Sequence, residues 1–251
     1  MRSIVNSLRQ LGFDPVQFAR GLRGVPRYVA TFLKFLTLKP VGKIKLAPAL
    51  SDFYDQAGSA TGHYFWQDML TAQWIHKNEP ARHLDVASRI DGFIAHLLCF
   101  RDVDILDVRP LETSIPGLRV LLGNAQEDIA SLHEKYDSVS SLHSIEHFGL
   151  GRYGDPLDPN GHIKGIINIS KLVEADGYLY VSFPIGKSEI QFNSQRIIQP
   201  EWPIEALPHF SLEDFVLIPW KSEPVYGLSP SDIDLSLDGL CGLYKFKRIK
   251  E

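Results

Sequence analysis

The residues with most chemistry to offer lie near the middle of the chain, where His143, Glu146 and His147 form an H-x-x-E-H run. On a continuous helix that spacing sets two imidazoles one turn apart on a single metal. Here the preceding residues, DSVSSLHSI (137–145), read as a strand, and Gly149, Gly151 and Gly154 deny the helix, so no metal is expected at this run. An imidazole left without a metal is mostly neutral at cytosolic pH and can take a proton. Upstream, Asp107 closes the apolar run VDILDV and offers two acceptor oxygens to a pair of hydroxyls. The loop GLGRYGDPLDPNGH (149–162) is built from turn residues, and it presents Arg152, Tyr153, Asp155 and Asp158. Asp155 and Asp158 with His162 form a second, weaker carboxylate and imidazole set that a divalent cation could use.

Elements must hold these groups in place, and the hydrophobic pattern supplies them. Tyr64, Phe65, Met69, Leu70, Trp74 and Ile75 recur at helical intervals and predict a helix ending before Pro80. Short apolar runs at 83–87, 103–108, 118–123 and 178–184 predict strands. Helices are expected over 92–100, 125–136 and 162–175. Strands alternating with helices make a parallel sheet covered on both faces, an α/β three-layer sandwich. The connection 109–117 is short and holds two prolines, so it is expected to cross over as a loop. Beyond Pro184 a proline-rich segment follows, an insertion around 187–214. Its Phe192, Asn193, Arg196, Trp202 and His209 are candidates to line an acceptor pocket. FVLIPWK (215–221) and CGLYKFKRI (241–249) alternate as strands, the latter expected at a sheet edge with its lysines to solvent. In such sheets ligands lie beyond the carboxyl ends of the strands, and an acid ending the second strand is where a ribose hydroxyl pair is gripped. Asp107 fits that place.

The chain has 251 residues, 44% hydrophobic and 22% charged, the composition of one globular domain with a modest appendage. Disorder, collagen and coiled coil are excluded. No apolar run is long enough to span a bilayer, and no secretory signal pattern opens the chain, so a cytoplasmic protein is expected. Cys99 and Cys241 lie far apart inside apolar segments, which suits small buried thiols better than a disulfide or a zinc site. The net charge of -4 hides an asymmetry. Residues 1–45 carry nine Lys or Arg against the single acid Asp14, so the body, 46–251, is acidic and no nucleic-acid partner is expected. Within the arm, Val25, Tyr28, Val29, Phe32, Leu33, Phe35 and Leu36 recur at near-helical spacing around Arg27 and Lys34. Such a basic amphipathic helix suits a peripheral contact with an anionic membrane at its inner face, or packing on the body or a second subunit.

The ordered set HLDVASRIDGF (83–93), ILDVRPL (105–111), LLGNAQED (121–128), SLHSIEHFGLGRYGDPLDPNGH (141–162) and GYLYVSFPIG (177–186) resembles the class I S-adenosylmethionine-dependent methyltransferases. It is most similar to a methyltransferase-like family of unknown function that accompanies bacterial surface-polysaccharide biosynthesis. The resemblance covers about residues 60–250. It implies a Rossmann-like, mostly parallel seven-stranded sheet with its last strand antiparallel, and S-adenosylmethionine as cofactor. It places Asp85 and Ser88 beside the methionine part, Asp107 on the ribose, and Asn124 and Gln126 beside the adenine. His147 or His143 would be the base that takes a hydroxyl proton. Arg152, Tyr153 and Asp155 would hold a small-molecule or glycan acceptor, and the implied reaction is O-methylation of a sugar. The turn after the first strand departs from the family by having Gly92 as its sole glycine, with Ala87, Ser88 and Arg89 in the turn. That shortage argues against a nicotinamide dehydrogenase, and it keeps open an alternative, a non-catalytic scaffold of the same fold in membrane-associated polysaccharide assembly.

Overall fold

The computed structural model describes residues 11–54, 58, 60–112, 114–127, 129 and 134–250. Two compact units divide the chain, Met1–Ser59 and Ala60–Glu251.

In the first unit, helix α1 (Pro15–Thr37) starts ten residues before the apolar run that suggested it. Asp14 explains the earlier start, because its carboxylate accepts from Val16 N at 2.9 Å and Gln17 N at 3.2 Å, while Pro15 fits the first helical turn. Phe18, Leu22, Val25, Val29, Leu33 and Leu36 form one exposed stripe at three- and four-residue spacing. Arg20, Arg23, Arg27 and Lys34 fall on the opposite side. Gly24 is the buried residue of the helix, and a Cβ there would collide with the Leu50 backbone.

The second unit is an eight-stranded sheet with helices on both faces. Its strands are β1 (His83–Val86), β2 (Val103–Asp107), β3 (Leu118–Leu122), β4 (Tyr136–Leu142), β5 (Val173–Ile185), β8 (Phe210–Pro219), β9 (Val225–Tyr226) and β10 (Leu240–Arg248), in the order β3-β2-β1-β4-β5-β10-β8-β9. A separate hairpin pairs β6 (Glu189–Gln191) with β7 (Gln195–Ile197). The first five strands run parallel, and β10 enters antiparallel between β5 and β8. On one face, α2 (His63–Asn78), a π-helical turn (Ile90–Ile94) and α3 (Ala95–Leu97) bury Leu70, Ile75, Phe93 and Leu97. On the other, α4 (Gly161–Lys171) and α5 (Trp202–Ala206) cover Leu84, Val139, Leu179 and Phe183.

Four expectations change. The sheet has eight strands, the short β9 supplying the edge. The carboxy-terminal strand is internal rather than an edge, and Lys245 and Lys247 lie over the Tyr178 ring, which covers their stems. The helix expected over 162–175 stops at Lys171, because buried Val173 already pairs with Tyr136, and the stop signal Asp176–Gly177 becomes an interruption of register inside β5. The helix expected over 125–136 falls in part on residues outside the described set; of the described ones, Asn124–Glu127 is a turn and Tyr136 opens β4.

Candidate active site

The order of chain travel reverses between β1 and β4, so a crevice opens beyond their carboxyl ends. A cavity there is walled by Ala87 after β1, Asp107 at the end of β2, Asn124 and Gln126 after β3, and His143 and His147 after β4. Next to it lies a chamber of about 850 Å³ with Arg152, Lys187, Gln191, Trp220 and Asp238 on its walls. Tyr64, His143 and His147 line both spaces.

Asp85 and Ser88 support the wall from behind and line neither of these two spaces. The buried Asp85 carboxylate accepts from Ser88 N at 2.9 Å, Ser88 Oγ at 2.7 Å and Ser140 Oγ at 2.5 Å. Desolvation nonetheless pushes its pKa up to about 6, against the pull of those donors. The brace ties the β1 turn to β4, and Ala87 takes the left-handed conformation that a glycine would otherwise fill, at φ 61°. Asp107 does reach the cavity, and both of its oxygens are held by Arg109, at 2.9 Å from Nε and 2.7 Å from Nη2. Asn124 Oδ1 caps its own turn by accepting from Gln126 N at 3.0 Å. Gln126 Nε2 donates to Asp155 at 3.1 Å, which leaves its buried Oε1 without a hydrogen-bond partner.

The two histidines of the H-x-x-E-H run diverge, because β4 ends at Leu142 and only a 3-10 turn (Ile145–His147) follows. His143 takes φ 48°, and its Nδ1 faces Ser182 Oγ at 3.4 Å and Cys241 Sγ at 3.9 Å. His147 Nδ1 donates to the Ser194 carbonyl at 2.6 Å. Burial lowers the pKa of His147 to about 4, so the ring is neutral at physiological pH. Between them Glu146 is fully buried, neither of its carboxylate oxygens has a hydrogen-bond partner, and desolvation pushes its pKa up to about 8. The His147 Nε2 lies 3.7 Å from the Glu146 Oε1.

Arg152 and Tyr153 stand at the mouth. Arg152 reaches the same Ser194 carbonyl at 3.1 Å, and the Tyr153 ring meets His147 edge-on at 5.7 Å between centroids. Asp155 faces the cavity, but its Oδ2 accepts from Gly149 N and Gln126 Nε2 and its Oδ1 from Tyr153 N, while Asp158 pairs with Lys164 at 2.6 Å. The Asp155, Asp158 and His162 cation set therefore does not assemble among the described residues. Arg196 is not an acceptor group either. Almost fully buried, it donates to the carbonyls of Glu146, Phe148, Asp158 and Pro159 and staples the loop together. Trp202 packs on Phe183 and His162, and His209 lies at a separate surface groove. The groups that sequence reasoning left out are Tyr64, Ser194, Lys187 and Trp220, which come from helix, loop and strand ends far apart in the chain. Cys99, expected to be buried, is exposed at the end of its helix; Cys241 is buried.

Solved structures give this architecture a class. The N-methyltransferase NodS from Bradyrhizobium japonicum WM9, in complex with S-adenosyl-L-homocysteine, superposes with a TM-score of 0.51 at 13% identity, over 75% of this chain and 89% of that one. A Burkholderia thailandensis 1,6-didemethyltoxoflavin-N1-methyltransferase, with bound 1,6-didemethyltoxoflavin and S-adenosylhomocysteine, does so with a TM-score of 0.50 at 14% identity, over 95% and 92%. The fold is that of the class I methyltransferases. Residues 119–200 match a family described as a Caenorhabditis protein of unknown function, DUF268. Curated proteins give no match to the sequence. The family description names no activity.

Proposed function

We propose that the protein is an S-adenosylmethionine-dependent methyltransferase that acts on a hydroxyl of a polar small molecule, a sugar of a surface glycan or its precursor. One observation carries the reading: two adjoining spaces at the switch point of a methyltransferase fold share Tyr64, His143 and His147, which gives a donor side and an acceptor side with a common wall.

The residues fit the cofactor. Asp107 stands at the end of β2 with a carboxylate able to take two hydroxyl protons once Arg109 yields or shares it. Asn124 and Gln126 follow β3 and line the cavity, where they would border the adenine. Asp85 and Ser88 act through the shape of the β1 turn. When bound, S-adenosylmethionine supplies an electrophilic methyl on sulfur and leaves as a neutral thioether. We assign the base to His147 rather than His143. Its Nδ1 proton is committed to Ser194, so Nε2 keeps the lone pair that takes the acceptor's hydroxyl proton. Tyr64 and Arg152 orient the acceptor, Tyr153 stands on the cofactor side against His147, and Arg152, Lys187, Gln191 and Asp238 give the chamber the mixed charge and hydrogen-bonding capacity that suits a sugar. The test is to incubate the protein with methyl-labelled S-adenosylmethionine and nucleotide-activated sugars. Label is expected in the sugar fraction with wild type and lost with His147→Ala; label that stays with the cofactor in both would contradict the reading.

The exposed apolar stripe of α1, with four basic residues opposite, supports peripheral contact of residues 1–45 with an anionic membrane, which would bring the site to a membrane-bound glycan. Among the described residues no helix is long and apolar enough to cross a membrane. Vesicles of phosphatidylglycerol and phosphatidylcholine should sediment the full chain and not a chain lacking residues 1–45; equal sedimentation removes the contact.

A further inference from the structure

His63 opens α2, His143 follows β4 and Cys241 lies in β10, three places that the chain brings together only on folding. One donor atom from each lies within 4.8 Å of the other two. His143 Nδ1 is 3.9 Å from Cys241 Sγ. His63 Nε2 holds the Gly239 carbonyl at 3.1 Å, and Trp220 meets that ring edge-on. His63 and Cys241 are buried, and His63 and His143 line the acceptor chamber.

As packing alone the cluster is poor. The Cys241 sulfur has loose contacts, at 3.7 to 3.9 Å, with Gln67 Oε1, His143 Nδ1 and Gly242 O, and His143 sits in a left-handed conformation that costs a non-glycine residue of order 1 kcal/mol or more. An aliphatic pair would fill the space with no polar atoms to satisfy. The donor set is instead that of a metal. Two imidazoles and a thiol select a borderline-soft ion, zinc above all, and three protein ligands leave a fourth tetrahedral position open. Zinc bonds of about 2.0–2.1 Å to nitrogen and about 2.3 Å to sulfur need the donors closer than they stand, a change within reach of small side-chain rotations.

We propose that His63, His143 and Cys241 bind a single Zn²⁺ whose open position faces the acceptor chamber. On binding, Cys241 gives up its proton to solvent and coordinates as the thiolate. An acceptor hydroxyl in the open position would be polarised by the ion, which makes it easier for His147 to remove its proton. That role rests on the methyltransferase reading; the metal site itself does not.

The experiment uses the full chain, stripped with chelator and titrated with Zn²⁺ against a chromophoric competitor, and in parallel with Co²⁺ as a spectroscopic probe. One ion per chain is expected, together with a thiolate-to-cobalt charge-transfer band and the intense visible bands of a tetrahedral site. Cys241→Ser and His143→Asn should each weaken binding by at least about 100-fold, more than loss of an outer-shell partner costs, while exposed Cys99→Ser should bind as wild type. The wild-type cobalt spectrum reads the site even if a variant fails to fold. Absence of the charge-transfer band, or affinity unchanged in both ligand variants, overturns the site. Cofactor binding, measured separately on the stripped protein, tells failure of the methyltransferase reading from failure of the metal site.

Discussion

The Nδ1 of His147 lies 2.6 Å from the carbonyl oxygen of Ser194, and because a carbonyl can only accept, that nitrogen must carry the proton. The relationship joins the end of β4 to the hairpin of β6 and β7, 47 residues on. It leaves the lone pair on Nε2, which lies 3.7 Å from Glu146 Oε1.

His147→Ala should therefore lower turnover by about 10²- to 10⁴-fold with cofactor affinity unchanged. The pH profile is more specific. With the pKa lowered to about 4, the base is free of its proton throughout the neutral range, so the acid limb of turnover should fall near pH 4 rather than 6.5. An acid limb near 6.5 in steady-state rates would contradict the assignment.

The brace behind the β1 turn should show in stability. Asp85 holds its proton in the folded protein up to about pH 6, above the ordinary value of 3.8. Between those values the folded state binds more protons than the unfolded one, so the stability Asp85 contributes is full below about pH 4 and is lost as pH rises through 6. The loss is about 3 kcal/mol for a shift of roughly two units. Urea denaturation of Asp85→Asn, in which the side chain cannot titrate, should show a correspondingly flatter dependence between pH 4 and 7.

Among the described residues Glu146 is the buried carboxyl without a hydrogen-bond partner, and its proton is retained to about pH 8. Glu146→Gln keeps the shape and removes the titration. By the same sign, wild type should lose stability relative to this variant as pH rises from about 5 to 9, measured by thermal melts in matched buffers.

Arg196 satisfies four loop carbonyls from a position 3% exposed. Arg196→Met should destabilise the protein by about 2–4 kcal/mol, since buried acceptors lose their donors. Arg196→Lys should recover little of that, because an ammonium cannot reach the same fork of acceptors. Chemical denaturation of both variants checks the order.

Much of this was legible in the chain, and the limits have physical causes. The parallel strands show as short apolar runs because both their faces are buried, and Asp107 shows because the end of β2 is a fixed place in such a sheet. The internal position of β10 was hidden, since the Tyr178 ring lets Lys245 and Lys247 live on a covered strand and mimic an edge pattern. Arg196 looked like a ligand group, because a local reading cannot tell an arginine that meets a substrate from one that meets four backbone carbonyls. The cluster of His63, His143 and Cys241 has no spacing signature, being made by three long-range contacts. Glu146 stood in plain view within H-x-x-E-H; only burial makes it unusual.

In the proposed reading the cavity beyond β1 and β2 holds the cofactor through Asp107. Titration calorimetry of the full chain with S-adenosylhomocysteine, repeated on Asp107→Ala, puts this to the test. Micromolar, one-to-one binding is expected, weakened by at least about 10-fold in the variant through loss of charge-assisted bonds to two hydroxyls. Absence of binding to the folded wild-type chain, or equal binding by both proteins, would contradict it and favour a scaffold role for the fold.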